Sequence, residues 1–174
     1  MSRPIIIFGS SRSRGDTWRA ICALNATNPQ LPVVDLNELK MSCYDYEHSN
    51  QQDDYLPLME RVVQHDPIVL ATPVYWYTMS AIMKIFIDRL TDLLTIRKDL
   101  GRKLAKKHVY VLASYGGSST EGFEYVFRNT CDYMDMIYKG CFFYYSGDNS
   151  ILSKNNDSIS LFRKRIDCES TAKA

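Results

Sequence analysis

The chain has 174 residues, 45% of them hydrophobic, and its 21 basic and 20 acidic side chains leave a net charge of +1. That length fits one domain, residues 1–174, with a substantial core. The near-neutral balance argues against a general attraction to nucleic acid or to an anionic membrane. Five cysteines (Cys22, Cys43, Cys131, Cys141 and Cys168) lie far apart and form no CxxC pair, which suits a reduced, cytoplasmic protein better than a disulfide framework. The first strand begins at Pro4, leaving no room for a signal peptide, and no apolar run is long enough to span a bilayer.

Period and breakers predict an alternation of strands and helices. Pro4–Phe8 is a strand whose unbroken Ile5, Ile6, Ile7 and Phe8 suit a parallel sheet covered on both faces. A small polar loop, Gly9–Asp16, leads to a helix over Thr17–Thr27 with Trp18, Ile21, Cys22 and Asn25 on its stripe. Leu31–Leu36 is the second strand, and Asn37–Asp53 is a long, polar, irregular connection. A helix over Asp54–His65 turns Leu58, Met59, Val62 and Val63 inward. The third strand, Pro67–Thr72, runs into Pro73 and the aromatics Tyr75, Trp76 and Tyr77. A third helix follows over Ser80–Leu90, extending toward Leu94, with Ile82, Ile85, Phe86 and Leu90 on its apolar face.

The basic run Arg97–Lys107 reads as a solvated connection, with a nucleotide-phosphate site as its other reading. His108–Ser114 is the fourth strand, Tyr115–Thr120 a glycine and serine loop, and Glu121–Met134 the fourth helix. Tyr138–Tyr145 is the fifth strand, its start softened by Gly140. Ser146–Asn156 is loop, Asp157–Cys168 a closing helix with Ile159, Phe162 and Ile166 on one side, and the tail is frayed. Five strands separated by helices make a doubly wound α/β parallel sheet. The first loop, GSSRSRG, lacks the GxGxxG of a dinucleotide-binding domain and the GK[ST] lysine of an ATP site.

Parallel topology brings the loops after strands one, three and four to one rim, where open α/β sheets bind ligands. In the first loop Gly9 allows a tight turn, and Ser10, Ser11, Ser13, Arg12 and Arg14 supply donors. Asp16 or Thr17 can cap the following helix, whose first N–H groups attract anions. The loop is therefore either a site for a monophosphate or for a terminal phosphate on a larger ligand, or a polar turn with a cap. The aromatics after strand three suit a planar ring or, alternatively, packing at an interface.

Other chemistries have less to build on. His48, His65 and His108 lack metal-ligand spacing. There is no GxSxG elbow. Cys43 is a lone cysteine without a positioned base, a reactive thiol being its other reading, and the acidic run Asp45, Glu47, Asp53, Asp54 reads as a solvated loop edge, with a metal role as the alternative.

Three stretches resemble the NAD(P)H-dependent FMN reductase family: GSSRSRGDT (Gly9–Thr17) against GSxRxxGNT, TPVYWYTMSAIMKIFIDR (Thr72–Arg89) against TPxYxxxxxxxxKxxxDR, and SYGGS (Ser114–Ser118) at the third flavin loop. The resemblance implies a flavodoxin-like five-stranded sheet in the order 2-1-3-4-5. It implies FMN as cofactor and NADPH or NADH as co-substrate. Ser10, Arg12, Asp16, Thr17 and Trp18 would surround the phosphate. Pro73, Val74, Tyr75 and Trp76 would border the isoalloxazine, with Ser114, Gly116 and Gly117 on its other side. Asp16 stands where asparagine is common, which suits a phosphate only if its carboxylate caps the helix or turns outward. Lys84, Asp88 and Arg89 would form an internal ion pair or a dimer contact. With only Cys43 after strand two, an iron–sulfur cluster is not expected.

The implied chemistry is hydride transfer at the flavin N5, with no side-chain acid or base, followed by two-electron delivery to a flavin, quinone or similar small acceptor. The implied assembly is a homodimer or tetramer, with Met79, Met83 and Ile87 extending the outer surface of helix three. The competing readings are a one-electron carrier of flavodoxin type, which would be strongly acidic, and a flavin-binding interaction module.

Overall fold

The computed structural model describes residues 3–26, 30–117, 119–147 and 152–171, and for side chains in the last stretch residues 157–169. The expected helix end at Thr27, Ser118, the middle of the loop after strand five and the tail beyond 171 lie outside the described residues. The strands are β1 (Ile5–Phe8), β2 (Val33–Asp35), β3 (Ile68–Pro73), β4 (His108–Tyr115) and β5 (Ile137–Tyr145). They form one sheet in the order β2-β1-β3-β4-β5, and every neighbouring pair is parallel. The helices are α1 (Asp16–Leu24), α2 (Tyr55–Val62), α3 (Ala81–Asp88), α4 (Asp92–Thr95), α5 (Lys98–Leu104), α6 (Phe123–Tyr133) and α7 (Leu152–Thr171).

Successive strand residues point to opposite faces, so the apolar runs serve two cores. Ile5, Ile7, Leu70, Val109 and Val111 face α2, α3 and α6, where Met59, Met83, Phe86 and Phe127 meet them. Ile6, Phe8, Val69, Ala71 and Leu112 face α1 and α7, where Ile21, Leu24, Ile159, Phe162 and Ile166 meet them. Each fully buried aliphatic or aromatic side chain stabilises the fold by about 1.5–3 kcal/mol. Cys22 is exposed, so the α1 stripe is carried by Ile21 and Leu24. In β5, Gly140 takes φ 118° at a register shift, with Tyr138 opposite Val109 and Gly140 opposite Tyr110. That is a bulge at a position only glycine adopts easily.

Five expectations are corrected. The run Arg97–Lys107 contains α5, not a solvated connection: Leu100 and Leu104 are buried, and Arg97 bridges Asp99 and Glu60. Met79 and Met83 are core residues, not interface surface, because α3 lies so close to β1 that a Cβ on Gly9 would sit 3.0 Å from that of Met83. Gly9 is thus needed for this approach rather than for a turn. The closing helix starts at Leu152, five residues early. Asp53 is no solvated edge, since it pairs with Arg89 at 2.5 Å.

Arg89 has no exposed side-chain surface. Its guanidinium also bonds Asp92 at 2.6 Å and the Ser42 carbonyl at 3.1 Å, and lies over the Tyr55 ring. Burial opposes ionisation of Asp53, yet hydrogen bonds from Arg89 and from the Ser42 and Tyr55 amides hold its carboxyl below the usual range. The long connection after β2 is fixed through this network. Lys84 and Asp88, by contrast, form an exposed pair on α3.

Candidate active site

β1 is followed by β2 on one side and β3 on the other, and a crevice opens at their carboxyl ends at this switch point. Thr72, Ser80 and Gly9 hold the loops together. The Ser80 hydroxyl donates to the Gly9 carbonyl at 2.7 Å and accepts from the Met83 amide at the start of α3. The Ser80 amide donates to the Thr72 hydroxyl at 3.0 Å. One serine therefore caps α3 and ties it to the end of β1.

The crevice floor is polar and buried. The hydroxyls of Thr17 and Ser114 meet at 2.7 Å, at 1% and 3% exposure, joining the first turn of α1 to the end of β4. Neither Asp16 nor Thr17 caps α1. Its N-cap is Gly15, which provides no side-chain acceptor, and the Asp16 carboxylate pairs with Arg19 at 3.1 Å. The first-turn N–H groups are thus left without a capping side chain at a wall lined by Gly15, Asp16 and Thr17, and such groups favour an anion. The Arg12 guanidinium is exposed beside them and has no carboxylate partner among the described residues.

The opposite wall carries Val74 and Tyr75. Tyr75 and Thr78 exchange backbone hydrogen bonds at 2.8 and 3.1 Å, closing a tight turn. Its central residues, Trp76 and Tyr77, have φ 48° and 66°. The Tyr75 hydroxyl meets that of Ser11 at 2.7 Å, joining this loop to the one after β1. At the far end of the crevice are Tyr115, Gly116 and Ser146. A Cβ on Gly116 would touch nothing within 4 Å.

Nine of the twelve site residues expected from sequence line this crevice: Ser10, Arg12, Asp16 and Thr17 on one side, Pro73, Val74 and Tyr75 on another, Ser114 and Gly116 at the end of β4. Trp18, Trp76 and Gly117 do not. Trp18 is half-buried and lies back on Phe8, with ring centroids 5.9 Å apart. Trp76 is 90% exposed at the tip of its turn, and Gly117 is exposed beyond the lining.

The structure adds Gly15, Tyr115 and Ser146 to the lining. Tyr115 was within reach of sequence reading, since it sits inside SYGGS. Ser146 was not, because it follows β5 and reaches the crevice by hydrogen bonding the Tyr115 carbonyl at 2.9 and 3.0 Å.

Other candidate sites lie elsewhere. α5 leads into the first residue of β4, so its basic side chains sit at the edge of the sheet opposite the crevice. His48 meets Asp92 at 3.2 Å, and His108 is buried against Asp66 and Glu169. No group of three or more His, Cys, Asp or Glu among the described residues could hold a metal ion. No helix among them is long and apolar enough to cross a membrane.

Comparison with known proteins agrees with this geometry. YwqN of Bacillus subtilis (strain 168), whose name assigns it to the NAD(P)H-dependent FMN-containing oxidoreductases, is 29% identical over 151 residues, covering 78% of this chain and 80% of YwqN. The Trp repressor binding protein of Bacillus subtilis shares the fold with a TM-score of 0.72 at 23% identity, covering 91% of this chain and 95% of that one. General stress protein 14 of Treponema denticola, solved in complex with FMN, superposes with a TM-score of 0.70 at 14% identity, covering 94% and 99%. Residues 3–149 match the sequence profile of the NADPH-dependent FMN reductases, and the chain belongs to that family of oxidoreductases, with FMN as cofactor and NAD(P)H as electron donor.

Proposed function

We propose that the crevice is the FMN site, with the phosphate in the loop after β1 and the ring between the loops after β3 and β4. The observation that carries this reading is the donor set: uncapped N–H groups of α1, the Ser10 and Thr17 hydroxyls and an Arg12 without a carboxylate partner converge on one wall. Asp16, the acid on that wall, is engaged by Arg19. A dianionic phosphate fits such a wall and a cation does not. Val74 and Tyr75 offer a flat apolar border, and Gly116 leaves backbone open to a close neighbour.

Bound there, the flavin supplies the redox chemistry: hydride uptake from NAD(P)H and two-electron delivery to a small planar acceptor of the quinone or flavin class. The chain's own part is to bind and orient. Arg12 and the α1 amides fix one end of the cofactor, Thr17 and Ser114 brace the floor, and the rim at Gly116 stays accessible, so donor and acceptor use one opening in turn. No side chain on this path has to move a proton. Mixing anaerobic holoenzyme with NADPH should bleach the flavin, and a quinone or free flavin should restore it, with parallel double-reciprocal lines when both substrates are varied. Failure of both NADH and NADPH to reduce the bound flavin would overturn the reading.

A single domain over residues 1–174, a cytoplasmic location and a homodimer complete the proposal. The second copy would cover the groove between α3–α4 and α6, where Ile87, Leu94, Tyr125 and Tyr133 present apolar surface. Sedimentation at micromolar concentration with FMN is the check, and a clean monomer rejects the assembly.

A further inference from the structure

We infer that Ser11 is a positioning residue that couples the two halves of the crevice: through its hydrogen bond to Tyr75, occupancy of the phosphate half raises affinity in the ring half. The inference rests on the FMN site proposed above. Residues 11–14 are exposed. Among the described residues, the Ser11–Tyr75 bond at 2.7 Å is the one side-chain hydrogen bond that ties these four to another element. The flanking positions are fixed: the Ser10 carbonyl accepts from Asn37 at 2.6 Å, and Gly15 is the N-cap of α1. An anion held by Arg12 and the α1 amides would fix the short segment between them, and with it the Ser11 hydroxyl.

Tyr75 is the receiving end. Its backbone is set by the bridge to Thr78, but its ring projects at the rim, and its hydroxyl bonds Ser11 alone among the described residues. Fixing Ser11 therefore fixes the orientation of the ring that borders the cofactor. Coupling of this kind is reciprocal: whatever factor phosphate gives the ring ligand, the ring ligand returns to phosphate. One exposed neutral hydrogen bond sets the scale, about three- to tenfold in affinity.

The two halves can be filled separately. Riboflavin carries the ring without the phosphate, and inorganic phosphate supplies the anion. Quenching of riboflavin fluorescence gives its dissociation constant with and without phosphate, at ionic strength matched with chloride, in the wild type, Ser11→Ala, Ser11→Thr and Tyr75→Phe. Phosphate should tighten riboflavin about three- to tenfold in the wild type and in Ser11→Thr, which keeps the hydroxyl. It should leave Ser11→Ala and Tyr75→Phe unchanged, although the latter keeps its ring. Equal enhancement in all four proteins, or none in a wild type that binds FMN, overturns the coupling while the FMN site stands. If the wild type binds neither FMN nor riboflavin, the FMN site falls, and the coupling with it.

Discussion

After β1 the chain carries Arg12 and Arg14, and after β2 it carries Glu38, Asp45, Glu47, Asp53 and Asp54. Both segments leave the carboxyl edge of the sheet, and both read as polar loops. The structure uses them differently. Residues 11–14 are exposed, and the two guanidinium groups have no ion pair among the described residues. Three of the five acids in the second loop are engaged by the protein itself. Asp45 accepts from the Glu47 and Ser49 amides, Asp54 from the Lys40 amide at 2.7 Å, and Asp53 from Arg89 and two amides. Charge left open in the first loop is what the proposed phosphate site needs, whereas charge in the second is largely held by the protein's own donors, and composition does not separate the two.

Removing Arg89 should have the largest effect and should be confined to stability. Arg89→Ala leaves Asp53 and Asp92 facing each other in a buried site, and loss of one partner of such a network costs about 3–5 kcal/mol. Chemical denaturation should show that loss. Acid offers a gentler version. The Asp53 carboxyl is held below its ordinary value of 3.8, so the unfolded chain takes up its proton first as pH falls. Its contribution is fully present above about pH 4 and is lost as pH drops through the lowered folded value. The stability gap between wild type and Asp53→Asn should therefore narrow below pH 4. A constant gap would mean that Arg89 does not hold the carboxylate in its charged form.

Arg12→Ala is the mirror experiment. A charge-assisted hydrogen bond is worth about 1.5–3 kcal/mol, so the dissociation constant for FMN should rise about ten- to a hundredfold. Unfolding of the flavin-free protein should shift by no more than about 0.5 kcal/mol, as for other exposed sites without partners. If Arg12→Ala destabilises the fold as Arg89→Ala does, or leaves FMN affinity unchanged, the contrast between the loops is wrong.

What could be read in advance follows from the range of the interactions. The strands were legible because five apolar runs sit between breakers, and the alternating faces of β1, β3 and β4 follow from a two-residue period. The crevice was legible because its main walls come from contiguous loops. The Arg89–Asp53 pair was not, since its partners are 36 positions apart and nothing local marks either. α5 was hidden for another reason: RKDLGRKLAKK offers only Leu100 and Leu104 as core residues among six cationic side chains. Trp18 belonged to two patterns at once, a helical apolar stripe and a phosphate loop, and in the fold it packs on Phe8. Met79 and Met83 seemed outward because helical spacing alone does not reveal how closely Gly9 lets α3 approach β1.

The turn after β3 shows the same contrast within one loop. Tyr75 is bridged to Thr78 through its backbone and bonds Ser11 through its hydroxyl, while Trp76 and Tyr77 occupy left-handed positions at the tip. A two-residue turn with both central φ values positive favours Asn-Gly, and bulky side chains there carry about 1–3 kcal/mol of strain each. Little packing offsets this, because Trp76 is 90% and Tyr77 58% exposed. The double change Trp76→Asn, Tyr77→Gly should relieve part of the strain, against the greater freedom that glycine gives the unfolded chain. We expect a net stabilisation of about 1 kcal/mol, or roughly 2–4 °C in the melting temperature of the flavin-free protein. A fall in melting temperature would show that the two aromatics already hold contacts that stabilise the fold, and the tip would then join the Arg89 loop on the structural side of the comparison.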